Sequence, residues 1–200
     1  MKRSPILPQR ISPVAVLAFA ASILAGERPY ELVWSNRTRD DHPPLIAFTD
    51  TAGWRVEAAD ATARFERSDD VLLFGDGVAK LTYRATGPNP RVTLFPPAPV
   101  AVTAAFDAVT CWIYGNNHSY APDPKTPPVT VTLSFAGSTG RAFPVTLAHV
   151  HFKEWFLCHR RLDADQRALV SQGASLLSIT VTGGRNTEDR VIYLNSLAVF

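Results

Sequence analysis

Val129-Thr130-Val131-Thr132-Leu133-Ser134-Phe135 is the stretch on which the fold turns. Apolar and hydroxyl residues alternate through it without a break. An extended chain therefore carries Val129, Val131, Leu133 and Phe135 on one face and Thr130, Thr132 and Ser134 on the other. One apolar and one wet face describe a strand of an antiparallel sheet packed on a core from one side. The same period runs through 109–114, 143–147, 177–182 and 191–200, and further strands are expected over 63–67, Val78–Ala85, Arg91–Phe95 and 155–160.

Between these runs lie Gly75-Asp76-Gly77, Gly87-Pro88-Asn89-Pro90, Gly137-Ser138-Thr139-Gly140 and Gly183-Gly184-Arg185-Asn186. Each supplies residues that accept positive φ or fix a bend. Helix signals are confined to 163–170, where Asp163 is placed to cap one short helical turn. Many short strands joined by tight turns predict an all-β domain, a jelly-roll β-sandwich of two antiparallel sheets, over residues 45–200. No repeat of fixed period interrupts it. With 46% hydrophobic and 19% charged residues, the 200-residue chain has the composition of a folded domain rather than a disordered one.

The N-terminus reads differently. Met1-Lys2-Arg3 is basic, and residues 11–26 contain no charge and end in Leu24-Ala25-Gly26. This is the pattern of a secretory signal peptide over 1–26. The alternative, a membrane anchor, is disfavoured by Pro13 and by a run of 16 residues where a spanning helix needs roughly 20. Glu27 stands where a lipid-modified cysteine would be required. Residues 27–44, charged and ending in Pro43-Pro44, read as an irregular lead-in arm. The expected location is extracellular, periplasmic or on the cell surface.

The whole chain has a formal charge of +2, but residues 1–26 hold Lys2, Arg3 and Arg10; without them 17 basic residues stand against 18 acidic ones. A near-neutral domain with scattered charge lacks the basic footprint of a nucleic-acid binder. A neutral ligand suits it better. The two cysteines, Cys111 and Cys158, sit in apolar strands, and the sequence leaves open whether they form a disulfide or remain buried thiols.

Phe48-Thr49-Asp50 with Gly53-Trp54, and far downstream Tyr193-Leu194-Asn195-Ser196-Leu197, resemble the paired motifs of galactose-binding-like jelly-roll domains. These are the carbohydrate-binding-module type found in secreted bacterial glycoside hydrolases and surface proteins. The resemblance implies that the early segment pairs with the late strand. It also implies non-catalytic glycan binding, a neighbouring catalytic domain as partner, and a structural calcium with Asp50 and Asn195 as ligands. Asn195 stands where that pattern has an aspartate, so the site would lack a charge that calcium favours.

The residues themselves point to a binding surface. If Val109, Cys111 and Ile113 face the core, Trp112 and Tyr114 face outward. Aromatic rings on an open sheet face are what the apolar face of a sugar ring stacks on. Asn116, Asn117, His118 and Tyr120 follow directly and offer amide, imidazole and hydroxyl groups. Trp155 and His159, with Arg161, share one face of a later strand and extend the candidate site. The competing reading is ordinary packing: an interaction domain whose aromatics are covered and which binds no sugar.

His149 and His151, two apart and hence on one face of a strand, have a spacing compatible with metal binding, but no third ligand accompanies them. A small hydrolase or lyase built on His149, His151 and His159 is the third reading. No Gly-x-Ser-x-Gly, His-Glu-x-x-His or phosphate-binding glycine motif is present, and the adjacent Glu188 and Asp189 point in different directions. Arg160 and Arg161 are expected to pair with Asp163 and Asp165.

Overall fold

Period-two burial is the organising pattern of the folded chain. The computed structural model describes residues 44–115 and 129–200, so the expected signal peptide, most of the arm, and Asn116, Asn117, His118 and Tyr120 lie outside the described residues. Among the described residues eleven strands follow one another: β1 (Arg55–Ala59), β2 (Ala61–Ser68), β3 (Val78–Ala85), β4 (Arg91–Phe95), β5 (Val100–Val102), β6 (Ala108–Tyr114), β7 (Val129–Gly137), β8 (Ala142–Val150), β9 (Trp155–Arg161), β10 (Ala174–Thr182) and β11 (Arg190–Val199). One short helix, α1 (Ala164–Leu169), separates β9 from β10.

Two antiparallel sheets result. One has the order β1-β4-β10-β7-β8, with β5 also pairing with β10; the other has the order β2-β3-β11-β6-β9. The fold is a jelly-roll β-sandwich. In β7 the residues Val129, Val131, Leu133 and Phe135 are buried and the intervening hydroxyl residues are half-buried. β8 repeats this with Phe143, Val145 and Leu147 inside and Pro144 and Thr146 outside. From the other sheet, Leu81, Cys111, Ile113, Ile192 and Leu194 meet these side chains in one continuous core.

The early-to-late pairing implied by the resemblance is present in outline. Ile46 and Leu197 form an antiparallel bridge, with backbone bonds of 3.1 and 2.9 Å in the two directions. Phe48, fully buried, lies 5.8 Å from the Trp54 ring.

Several expectations need correction. β1 and β5 were not foreseen: β1 is exposed at four of five positions, and β5 has three residues, too few to show a period. His149 and His151 do not share a strand face. β8 ends between them, His149 Nδ1 lies 3.0 Å from Thr130 Oγ1, and His151 Nδ1 donates to the His149 carbonyl at 2.7 Å. Asp163 is not spent on the neighbouring arginines. Its carboxylate accepts from the Gln166 N–H at 2.8 Å while Gln166 Oε1 accepts from the Asp163 N–H at 3.0 Å, a complete capping box.

Two substitutions test these assignments by denaturant unfolding. Leu133→Ala, at a position with no solvent exposure, is expected to cost about 2–5 kcal/mol through lost burial and a residual cavity. Asp163→Ala is expected to cost about 1 kcal/mol, the usual value of an N-cap. A Leu133→Ala variant as stable as the parent would remove β7 from the core.

Candidate functional site

The outward face of the β2-β3-β11-β6-β9 sheet gathers the aromatic residues. Because Val109, Cys111 and Ile113 are buried inward, Trp112 and Tyr114 project from the opposite side of β6, each half-buried. Register then selects their neighbours. Tyr114 is opposite Tyr193 on β11 and Trp155 on β9, and Tyr193 is opposite Lys80 on β3. Lys80, Tyr193, Tyr114 and Trp155 thus form one row across four strands. With strands about 4.8 Å apart, its three rings span about 10 Å.

Neighbouring rings in this row meet edge to face. Tyr114 lies 5.8 Å from Tyr193 at an interplanar angle of 84°, and 5.7 Å from Trp155 at 74°. Such contacts are favourable beyond the area they bury and hold each ring against its neighbour. The next row contains Asn195, Trp112 and Leu157, and a third row places His159 opposite Thr110. Four expected site residues, Trp112, Tyr114, Trp155 and His159, therefore share one face. The expectation of flat, open rings needs adjustment, because the rings are half-buried and braced.

Three contributors were not singled out from the sequence. Tyr193 was legible, since its place next to Leu194 in an extended strand puts it on the outward side of the sheet, although β11 buries both of its faces there and Tyr193 itself is buried. Phe74 and the Asp70–Lys80 pair were not, because a loop and cross-strand register bring them to the face. Phe74 packs edge-on against Trp112 with centroids 5.8 Å apart. Its carbonyl accepts from Asn195 Nδ2 at 3.2 Å, which ties this loop to the sheet. Lys80 Nζ lies 2.5 Å from Asp70 Oδ2 and 5.9 Å from the Tyr193 ring centre. Trp155 Nε1–H is buried and has no acceptor among the described residues. A buried donor without a partner is rare enough to demand an explanation.

The donor set does not fit the implied calcium. Asn195, 1% exposed, gives its N–H to Phe74, and its Oδ1 accepts from Ser196 Oγ at 2.6 Å. Asp50 is exposed, and its Oδ1 accepts from the Ala52 N–H at 2.8 Å to close its own turn. Among the described residues no three His, Cys, Asp or Glu side chains converge on a metal position, whereas calcium takes about 6–8 oxygens.

The charge at the end of the row is neutralised locally. The hydrogen bond from Lys80, with help from Ser68, holds the Asp70 carboxyl below its ordinary 3.8; the same contact raises Lys80 above 10.5. Burial pushes the Tyr193 hydroxyl upward. Asp70 therefore contributes stability fully above pH 3.8 and loses it as pH falls through its lowered folded value. Lys80 contributes fully below pH 10.5 and loses it as pH rises through its raised value. The near-UV circular dichroism of the aromatic row is expected to hold between these limits and to shift on acidification below about 3.8. That shift should be absent in Asp70→Asn; an identical acid shift in both proteins would contradict the assignment.

No protein-family model matches the chain, and no curated protein matches it. Among the described residues, no helix is long and apolar enough to cross a membrane. Solved structures share the fold. One, from work on the promiscuous specificity of carbohydrate-binding modules of the β-sandwich superfamily, superposes with a TM-score of 0.54 at 11% identity over 79% of this chain; this chain spans 62% of that one. A family 11 carbohydrate-binding module of Clostridium thermocellum, determined in solution, gives 0.52 at 9% identity, covering 80% of this chain and 94% of the module. At such identities the likeness establishes a common β-sandwich fold.

Proposed function

We propose that the protein is a non-catalytic glycan-binding module whose site is the aromatic row on the outward sheet face. The observation that carries this reading is the alignment of the half-buried Tyr114 and Trp155 in register, braced by the buried Tyr193, with Trp112 one row away. Rings fixed by edge-to-face contacts lose little freedom on binding, so a sugar ring laid against them gains contact without the cost of ordering side chains.

The ligand class follows from the electrostatics. Lys80 is committed to Asp70, and the body of the chain is close to neutral, so the face offers contact and hydrogen bonds rather than charge. A neutral polysaccharide suits it. Asn116, Asn117, His118 and Tyr120 belong to the segment that follows β6, and their role as polar contacts remains part of the proposal. So do export by the N-terminal segment and service as an accessory to a secreted glycoside hydrolase, which the resemblance and the basic-then-apolar leader support.

The test is binding to a panel of soluble and insoluble polysaccharides by affinity electrophoresis and pull-down. Trp155→Ala and Tyr114→Ala, each verified as folded, are expected to weaken binding at least about tenfold, or about 1.4 kcal/mol, as truncation of a central aromatic contact does. Arg185→Ala, in the β10–β11 loop, should leave it unchanged. If the parent binds no polysaccharide, the aromatic face is a packing surface and the interaction-domain reading replaces this one.

A further inference from the structure

Cys111 and Cys158 lie directly opposite each other on β6 and β9, both on the buried side of the sheet. In this structure both are free thiols. Their backbone relation can be fixed further. In the same register, Leu162 N–H donates to the Asp107 carbonyl at 2.8 Å and Gly115 N–H to the Glu154 carbonyl at 3.4 Å. These two couples stand four residues to either side of the cysteines, so the cysteines occupy a hydrogen-bonded pair of the ladder. Cα atoms in such a pair are about 5.5 Å apart. A disulfide takes Cα separations of about 4.4–6.8 Å, which this pair meets, and Cβ separations of about 3.5–4.5 Å, whereas a hydrogen-bonded pair holds its Cβ atoms nearer about 5.5 Å; closing the bond therefore draws β9 toward β6 by about 1 Å and leaves it under strain.

We infer that Cys111 and Cys158 are a latent cross-strand disulfide, formed when the chain folds in the presence of a small-molecule or protein disulfide. Neither side chain has a partner that opposes this. Cys111 Sγ lies 3.4 Å from the Trp112 carbonyl and 3.5 Å from that of Asn195, and Cys158 Sγ lies 3.9 Å from that of Phe156. These are weak thiol contacts that a side-chain torsion can exchange for a covalent bond. The chemistry is thiol–disulfide exchange. One cysteine thiolate attacks the oxidant's disulfide and displaces one thiol, giving a mixed disulfide. The second cysteine thiolate then attacks the protein sulfur of that bond and releases the other thiol. The protein loses two hydrogens and the oxidant is reduced to two thiols.

Burial sets when this happens. It pushes the Cys158 thiol up to about 12 and raises Cys111 well above its ordinary value, so the folded pair is nearly devoid of thiolate at neutral pH. Exchange belongs to the folding chain, before β9 closes on β6. The bond would fasten an edge strand to its one neighbour, directly beneath the face that carries Trp155 and Leu157.

The experiment refolds the full chain from denaturant in oxidised glutathione and, in parallel, in reduced glutathione, followed by maleimide labelling under denaturing conditions and intact-mass measurement. The oxidative arm is expected to give a monomer lighter by two hydrogens with no reactive thiol, and a higher Tm than the reduced arm. In Cys111→Ser and Cys158→Ser the remaining thiol should be labelled or carry glutathione, and the Tm of the double variant should ignore reductant. A parent that refolds oxidatively to the native β-sheet spectrum with both thiols still labelled would overturn the inference. So would a disulfide found only between chains.

Discussion

Burial of Val109, Cys111 and Ile113 between the sheets constrains everything that the opposite face of β6 can do. Successive side chains of a strand go to opposite faces, and a slip of one residue would exchange the two sets. Once these three side chains enter the core, Trp112 and Tyr114 must face away from it. Pairing with β11 and β9 then supplies Tyr193 and Trp155 as neighbours. The candidate site is therefore a by-product of core packing: its geometry is held by side chains that never approach a ligand.

The same dependence explains how the sheet tolerates irregularity nearby. β11 loses register with β6 between Asn195 and Ala198, and Ser196 within that bulge takes a φ of 48°. Bulges re-aim side chains. Here the irregular step leaves Asn195 facing the Phe74 carbonyl and Ser196 bonded to Asn195, so a disturbed stretch of ladder becomes the anchor of a loop. Gly115 closes β6 for a related reason: a Cβ there would come within 2.1 Å of the Phe152 carbonyl.

Most of the architecture could be read from alternation. β7, β3 and β4 are where their sequences place them, since each buries one face and is bounded by turn residues. β1 could not be read, because a strand exposed on most positions carries no apolar period. The boundary at Val150 was equally hidden, for the end of β8 is set by its partner strand. At the site, single-strand logic turned Trp112, Tyr114, Trp155 and His159 to one face. It could not reveal that Tyr114 touches both Tyr193 and Trp155, which is a property of register between strands far apart in sequence. Nor could it show that the Asn195 amide is already spent.

The outermost strands carry a further consequence. β1 presents Arg55 and Glu57 to solvent, β2 presents Arg64, β8 contains Pro144, which has no N–H to offer, and β9 ends in the exposed pair Arg160-Arg161. Each terminal ladder is thus interrupted by charge or by a missing donor, the features by which sheet proteins avoid growing by strand addition. Among the described residues, Phe156, 46% exposed on β9, is the large apolar side chain on these margins that lacks such cover. Even at high concentration such rims would resist fusing into fibrils, because each sheet ends in a strand that a second copy cannot readily extend.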